Sequence, residues 1–401
     1  MRRSRTLLVV LGASAIMLIA FASVAIPLYV IRPFVPEDPN ALAYALSLRS
    51  LAPWITLLCV AILILLWVST WRRTGRLGRA ALILSTTLAV LSLVAAHVNI
   101  FERMFHPNPS PSFAPASQAA ADPGDMVLAV SINGEARAYP IRYLGYHHII
   151  NDTVGGRPIA ITYCTLCHTG LVWSRVLDGR TLYFHLGGIN NGNALLRDAE
   201  TSSIWQQSTG ECIFGPLRGR HLALVSANEL TLALWRNENP NGTILLPDTA
   251  VAALYDPKDW ERHVERTPVV VDVSASGINP HEIIFGVSAN GLHRAYFLRT
   301  LLSSGLIEDS FGYPTTRVLL VLGPDGASIR AFAPGERNFV RAQSPSDSAF
   351  MTDTESGSTW NFQGCAVSGK LAGACLPPID GHKSFWFDWL NHYRDTSVYR
   401  G

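Results

Sequence analysis

The sequence predicts an α+β, strand-rich fold: an internally duplicated extracytoplasmic domain preceded by three transmembrane helices. Three observations carry this. Long uncharged runs fill the first hundred residues, several segments recur in order about 157 residues apart, and Asn-Gly pairs punctuate alternating apolar stretches. The whole chain of 401 residues is 48% hydrophobic and only 15% charged. Soluble domains carry ~25% charge, so part of this chain is built for another solvent.

The uncharged runs are Leu7–Ile31, Leu51–Trp71 and Ala80–Phe101. Each meets the roughly 20 apolar residues that a bilayer core requires. Arg2, Arg3 and Arg5 precede the first run, and Arg72, Arg73, Arg76 and Arg79 fill the loop before the third. Only Arg32 and Arg49 stand between the first and second. The positive-inside rule therefore places the N-terminus in the cytoplasm and residues 106–401 outside, in the periplasm or beyond the cell. The first run exceeds the 7–15 apolar residues of a cleaved signal. Cleavage there would leave the large domain outside all the same.

Residues 106–125, HPNPSPSFAPASQAAADPGD, are rich in Pro, Ala and Ser and read as an extended linker. The soluble part beyond it was made twice. VLAVSINGEARAYP (127–140) matches IFGVSANGLHRAYF (284–297), and DAETSSIW (198–205) matches DTESGSTW (353–360). Gly215-x-Leu217 likewise meets Gly369-x-Leu371. Two copies are too few for a solenoid, so two similar packed halves are expected: copy one over 126–225, a connecting segment over 226–282, and copy two with a tail over 283–401. Asn133-Gly134, Asn290-Gly291 and Asp178-Gly179 predict hairpins, because a type I′ turn needs positive φ at both positions. Helices are expected in 226–240, with an Asn cap and a closing proline, and in 384–393.

Chemistry concentrates in TYCTLCHTG (162–170). Cys164, Cys167 and His168 spell C-x-x-C-H, and four readings compete. Haem c attachment uses that string, but the flanks look like strands and no distal ligand stands nearby. A thioredoxin-like dithiol needs the motif to open a helix, and Gly170 with an aromatic, β-branched run argues against that scaffold. On another scaffold the pair still closes and opens in an oxidising compartment. A soft metal site suits a strand-to-strand turn, with His168, His185 and Cys212 as further ligands and copper or zinc as the ion, ahead of haem c. The plain alternative is a structural disulfide or two idle thiols. That alternative fits Cys365 and Cys375 better, ten residues apart in the tail. Cys59 lies in an apolar run and reads as a small apolar residue.

At one constant offset Cys164 falls on Val321 and Cys167 on Pro324, so the second copy turns the corner without sulfur. A second cluster surrounds it: Asn191, Asn193, Asp198, Trp205 and Gln206. Its Asp, Glu, Ser and Trp recur in copy two and read as framework; the asparagines and Gln206 belong to copy one alone and mark the candidate pocket. The net charge of +2, with no basic run in the soluble part, argues against nucleic acid. The expected partners are the lipid bilayer and either a metal ion or a redox partner protein.

TYCTLCHTG, the Asn-rich stretch with DAETSSIWQQSTGE (198–211), GPLRGRHL (215–222) and FWFDWLNHYRDTSVY (385–399) together resemble the domain-of-unknown-function family 3179 of bacteria and archaea. The resemblance spans essentially the whole soluble part. Family members usually carry proline after the first cysteine, where this chain has Thr165, and many lack a histidine at the position of His168. The resemblance implies no assigned reaction, so the activity is open between metal handling or electron transfer, thiol–disulfide exchange, and a non-catalytic binding or scaffolding role.

Overall fold

A computed structural model describes residues 2–255, 263–346 and 349–401. It divides into two compact units, Met1–Met104 with Gly187–Asn191, and Phe105–Leu186 with Gly192–Gly401.

Among its described residues the first unit holds three helices long and apolar enough to cross a membrane, Arg2–Val30, Pro39–Thr70 and Arg76–Ala96, followed by a short one, Ile100–Met104. Their packing inverts that of a water-soluble bundle. Small residues such as Ala13, Ala20 and Ala89 are buried, while Leu8, Leu58, Leu65 and Leu84 point outward. In a bilayer that is the favourable arrangement, since lipid tails solvate leucine and small residues let helices approach. The second helix starts at Pro39 rather than Leu51. Asp38 caps it, its carboxylate accepting the Asn40 and Ala41 amides. A search for uncharged runs misses such a polar first turn. Cys59 is buried in this unit among apolar side chains.

The second unit repeats one pattern of strands. The hairpin Met126–Ile132 and Glu135–Pro140 turns at Asn133 and Gly134, with φ of 49° and 83°. The hairpin Ile283–Ala289 and Leu292–Phe297 turns at Asn290 and Gly291, with φ of 54° and 74°. Each hairpin gains an antiparallel strand on its first arm and a parallel one on its second. Those strands are Asn228–Thr231 and Thr243–Leu245 in one case, Gly381–Phe385 and Ser397–Val398 in the other. Residues 228–245, read from sequence as part of a connector, therefore complete the first sheet. The expected helix at 226–240 is Leu232–Glu238, capped by the Thr231 hydroxyl, and 228–231 is strand. The tail helix is Trp386–His392. The 106–125 stretch also contributes a short edge strand, Phe113–Pro115, against Thr243–Leu245.

Matching side chains do matching work. Trp205 Nε1 donates to Asp198 at 2.8 Å, and Trp360 Nε1 to Asp353 at 2.9 Å. Ser203 accepts the Leu217 amide, and Ser358 that of Leu371. The Gly-x-Leu repeat has its reason here: a Cβ on Gly215 would lie 2.7 Å from Ser203 Cα, and one on Gly369 would lie 2.6 Å from Ser358 Cα. Arg137 and Tyr139 both bind Asp152, as Arg294 and Tyr296 bind Asp309.

The C-x-x-C aligns two places away from where a constant offset puts it. Ile150 pairs with Ile161, and Ile307 with Leu320, because the second hairpin has the longer turn. Register therefore makes Gly323 the counterpart of Cys164, and Gly326 that of Cys167, in place of Val321 and Pro324. The corner at 323–328 still has no sulfur.

The two halves share cores. Tyr139, Ile161 and Tyr163 pack in one cluster with Phe385, Trp386 and Trp389 of the tail. Glu229 and Lys383, which hold equivalent places on their strands, form an ion pair at 2.8 Å with both side chains about nine-tenths buried. The tail thus reaches across to the cysteine turn.

Candidate functional site

Strands Arg157–Cys164 and Thr169–Ser174 pair so that Cys164 faces Thr169. Between them the chain turns sharply. The Cys167 amide returns to the Cys164 carbonyl, the His168 amide to the Thr165 carbonyl, and His168 takes φ of 55°. That brings the two sulfurs to 2.7 Å, longer than a disulfide of about 2.05 Å and well inside ordinary contact. Cys164 is 3% exposed and Cys167 is 0% exposed. The Phe385 amide donates to the Cys167 carbonyl at 2.8 Å, so the tail strand latches the turn.

A polar network lies behind the sulfurs. Gly192 offers its carbonyl to both thiols, at 3.5 Å from Cys164 and 3.3 Å from Cys167. Asn193 Nδ2 donates to Cys167 Sγ at 3.3 Å and to Gln207 Oε1 at 3.0 Å. Asn193 Oδ1 accepts from Gln206 and from the Ser208 amide. Gln207 in turn donates to Thr162 Oγ1 and to the Thr169 carbonyl.

At its centre stands Asp388, 2% exposed, from the tail helix. Its Oδ2 accepts from Ser208 Oγ at 2.8 Å and from Thr169 Oγ1 at 3.1 Å. Its Oδ1 accepts no hydrogen bond and faces His392 Nε2 at 3.4 Å. Burial pushes the Asp388 carboxyl up, but His392, the Ser208 hydroxyl and the Cys167 thiol outweigh it and hold it below the ordinary value. Cys167 moves the other way. Burial first, then Cys164 and the Asp388 charge, push its thiol well above the usual range. Burial drives His382 down to about 4 against the pull of Asp388 and Glu229, so this imidazole is neutral. Burial and Asp388 push Tyr393 up to about 12. A cleft of about 140 Å³, lined by Trp173, Ser208, His382 and Tyr393, opens beside the network.

Of the residues singled out from sequence, Cys164, Cys167, Asn193 and Gln206 come together. The others do not join them. His168 Nδ1 bonds the Tyr163 hydroxyl at 2.7 Å, and its ring meets Phe385. His185 lies against the Tyr183 ring. Cys212 donates to the Phe214 carbonyl, with its thiol pushed up to about 11 by burial. Asn191 occupies a turn with φ of 49°, and Asp198 with Trp205 holds the framework hairpin. Among the described residues no group of three or more His, Cys, Asp or Glu is placed to hold a metal ion. The copper or zinc site expected from the sequence is therefore not assembled: its nitrogen ligands are turned to other partners, and Cys212 is tied elsewhere. Haem c does not fit either. Both sulfurs are enclosed, and the clefts reaching Gly170 and His382 measure about 140 and 230 Å³, below the ~300 Å³ at which ligand pockets begin. Cys365 and Cys375 form a disulfide.

Sequence reasoning missed Asp388, Ser208, Thr169 and His392. One signal was present: Asp388 is the lone charge in FWFDWL, and His392 stands one helical turn beyond it. A charge inside an aromatic run is buried with a purpose or not at all.

The fold and site define an α+β protein with an apolar helical unit and a buried cysteine pair backed by a carboxylate. The family described as "Protein of unknown function (DUF3179)" matches residues 108–396, and the chain belongs to it. No curated protein and no solved structure matches.

Proposed function

We propose that this protein is a membrane-anchored thiol–disulfide redox protein that works outside the cytoplasm, on an internally duplicated domain of which only the first copy carries the reactive pair. The duplication is supported by strand registers and side-chain bonds that recur between the halves. The orientation rests on the arginines at 2–5 and 72–79.

One observation carries the redox reading: the Cys164 and Cys167 sulfurs sit 2.7 Å apart, with the Asn193 amide donating to Cys167 and the Asp388 carboxylate joined to that amide through the Ser208 hydroxyl. A staple needs only packing, whereas a dithiol that opens and closes must stabilise both of its states. The reaction is exchange. Cys164, which keeps the pair's only exposure, attacks a sulfur of a partner disulfide as the thiolate; that S–S bond breaks and one partner thiolate leaves. Cys167 then loses its proton and attacks Cys164 Sγ, releasing the second partner thiolate. Two electrons pass to the partner, whose thiolates take up protons from water.

Full-length protein in detergent, equilibrated across glutathione buffers and quenched by alkylation, tests this. Cys164 and Cys167 are expected to interconvert together between dithiol and disulfide, and Cys167→Ser to trap glutathione on Cys164. A pair locked in one state across all buffers would refute the reading. Stoichiometric copper or zinc that disappears in the double Cys→Ser variant would restore the metal function in its place.

A further inference from the structure

Cys167 has no exposure, and its thiol is disfavoured as a thiolate, yet it must lose a proton to resolve the mixed disulfide. Water does not reach it, so the proton needs an acceptor inside the protein. We propose that Asp388 is the general base for Cys167 and that His392 carries the proton onward to solvent; the assignment rests on the redox reading and deepens it.

Asp388 has the geometry for this. It shares one network with the thiol: Asn193 Nδ2 donates to Cys167 Sγ and to Ser208 Oγ, Ser208 Oγ donates to the carboxylate, and the Thr169 hydroxyl spans the Cys167 carbonyl and the carboxylate. Oδ2 is saturated by the Ser208 and Thr169 hydroxyls, which fixes the group in one orientation. Among the described residues, Oδ1 accepts no hydrogen bond and pairs at 3.4 Å with His392 Nε2, which has no other partner there. One oxygen held by two hydroxyls and the other set against an imidazole describes a group placed to accept a proton and pass it on. His392 lies toward the edge, its side chain 9% exposed, and Ser208 reaches the 140 Å³ cleft.

In the resting dithiol the transfer is uphill, since Asp388 is the weaker base. It becomes favourable as Cys167 Sγ bonds to Cys164 Sγ and the S–H bond gives way. The proton leaves Cys167, rests on Asp388, passes to His392 and then to water; the electron pair left on Cys167 forms the new S–S bond. The second copy cannot do this. Its positions equivalent to Cys164 and Cys167 are Gly323 and Gly326, and that equivalent to Asp388 is Leu234. Thiol pair and carboxylate are present together in one half and absent together in the other.

The titratable groups facing Asp388 are Cys167 on the turn, His392 and Tyr393 on its own helix and the residue after it, and His382 on the preceding strand. The test loads Cys164 of the full-length protein with thionitrobenzoate from its disulfide and monitors release by Cys167, read on the cysteine peptide by mass spectrometry. Wild type is expected to resolve with little pH dependence above pH 6. Asp388→Asn should slow release at pH 7 by roughly 10²–10³-fold, in the range of general-base effects, with a rate that then climbs with hydroxide. Ser208→Ala, which removes one donor from Oδ2 and disturbs folding less, should move the profile's midpoint to higher pH. Wild-type release from Asp388→Asn, or an unmoved midpoint in Ser208→Ala, overturns the assignment and leaves the redox reading standing. A wild-type protein that never resolves takes both down.

Discussion

The corner at 164–169 and its counterpart at 323–328 join corresponding strands in the same order and differ in the side chains they enclose. The first closes over two sulfurs, Asn193 and Asp388. The second closes with Gly323 and Gly326 and a local Asp325–Ser328 bond. The second half spends its cysteines elsewhere, on the Cys365–Cys375 disulfide, where the first half has only the bridge between Glu211 and His221. One scaffold thus holds a buried pair in a polar network in one half and a plain staple in the other. The difference teaches that this corner closes without the C-x-x-C, and the proposed exchange reaction supplies a reason for the network around it.

The sharpest test of the two-half description is the pair that joins them. Glu229 and Lys383 occupy equivalent strand positions and neutralise each other in the interior. Burial pushes Glu229 up, but the Lys383 charge, with help from His168, holds it below the ordinary value. Lys383→Met strands a buried carboxylate and should cost about 3–5 kcal/mol. Glu229→Met with Lys383→Met should recover most of that. Denaturant midpoints decide it; a double variant as unstable as the single one would break the comparison.

A second difference lies in acid sensitivity. His148 ends the helix Ile141–His147 in a left-handed conformation, φ 59°, where the other half has Gly305 at φ 71°. His382 stands where the other half has Asn228. Burial drives both imidazoles down to about 4 from 6.5. Between those values the unfolded chain binds more protons, so stability is complete above pH 6.5 and is lost as pH falls toward 4. For His148 the loss is on the order of 3 kcal/mol at 1.36 kcal/mol per pH unit. Thermal melts across that window should slope less in His148→Asn and flatten further when His382→Asn is added. Asp388 and the other depressed carboxylates act only below their ordinary values, at the acid end of this window, so the slope is read above pH 5. An unchanged slope in the double variant would show that the sensitivity lies elsewhere.

The smallest expected effect concerns the staple. Replacing Cys365 and Cys375 by serine opens a loop of sequence separation ten and should cost roughly 2–3 kcal/mol. The same change should leave the Cys164–Cys167 titration in glutathione unmoved. A shift in that titration would mean that the halves communicate.

Much of this was legible in the chain. The apolar runs announce membrane helices because a bilayer demands length without charge. The Asn-Gly pairs announce hairpins because few residues accept positive φ twice. The repeated Asp, Ser and Trp announce a framework because identical bonds need identical side chains. What stayed hidden has one cause: each hidden feature depends on contacts between residues far apart in sequence. Residues 228–245 read as a connector because a strand pairing with 126–140 leaves no local mark. The longer turn after Phe311 displaced the cysteine alignment by two places, which only cross-strand register reveals.

By itself the sequence determined the family, the division into apolar helices and a strand-rich part, and the sulfur pair as the point of interest. Tertiary structure alone decided what surrounds that pair. It turned His168 toward Tyr163 and sent Cys212 and His185 elsewhere. It also carried Asp388 across 221 residues of chain to lie beside Cys167. The physical reason is that a site's reactivity is set by burial and by neighbouring charge, and both are properties of what packs together in space.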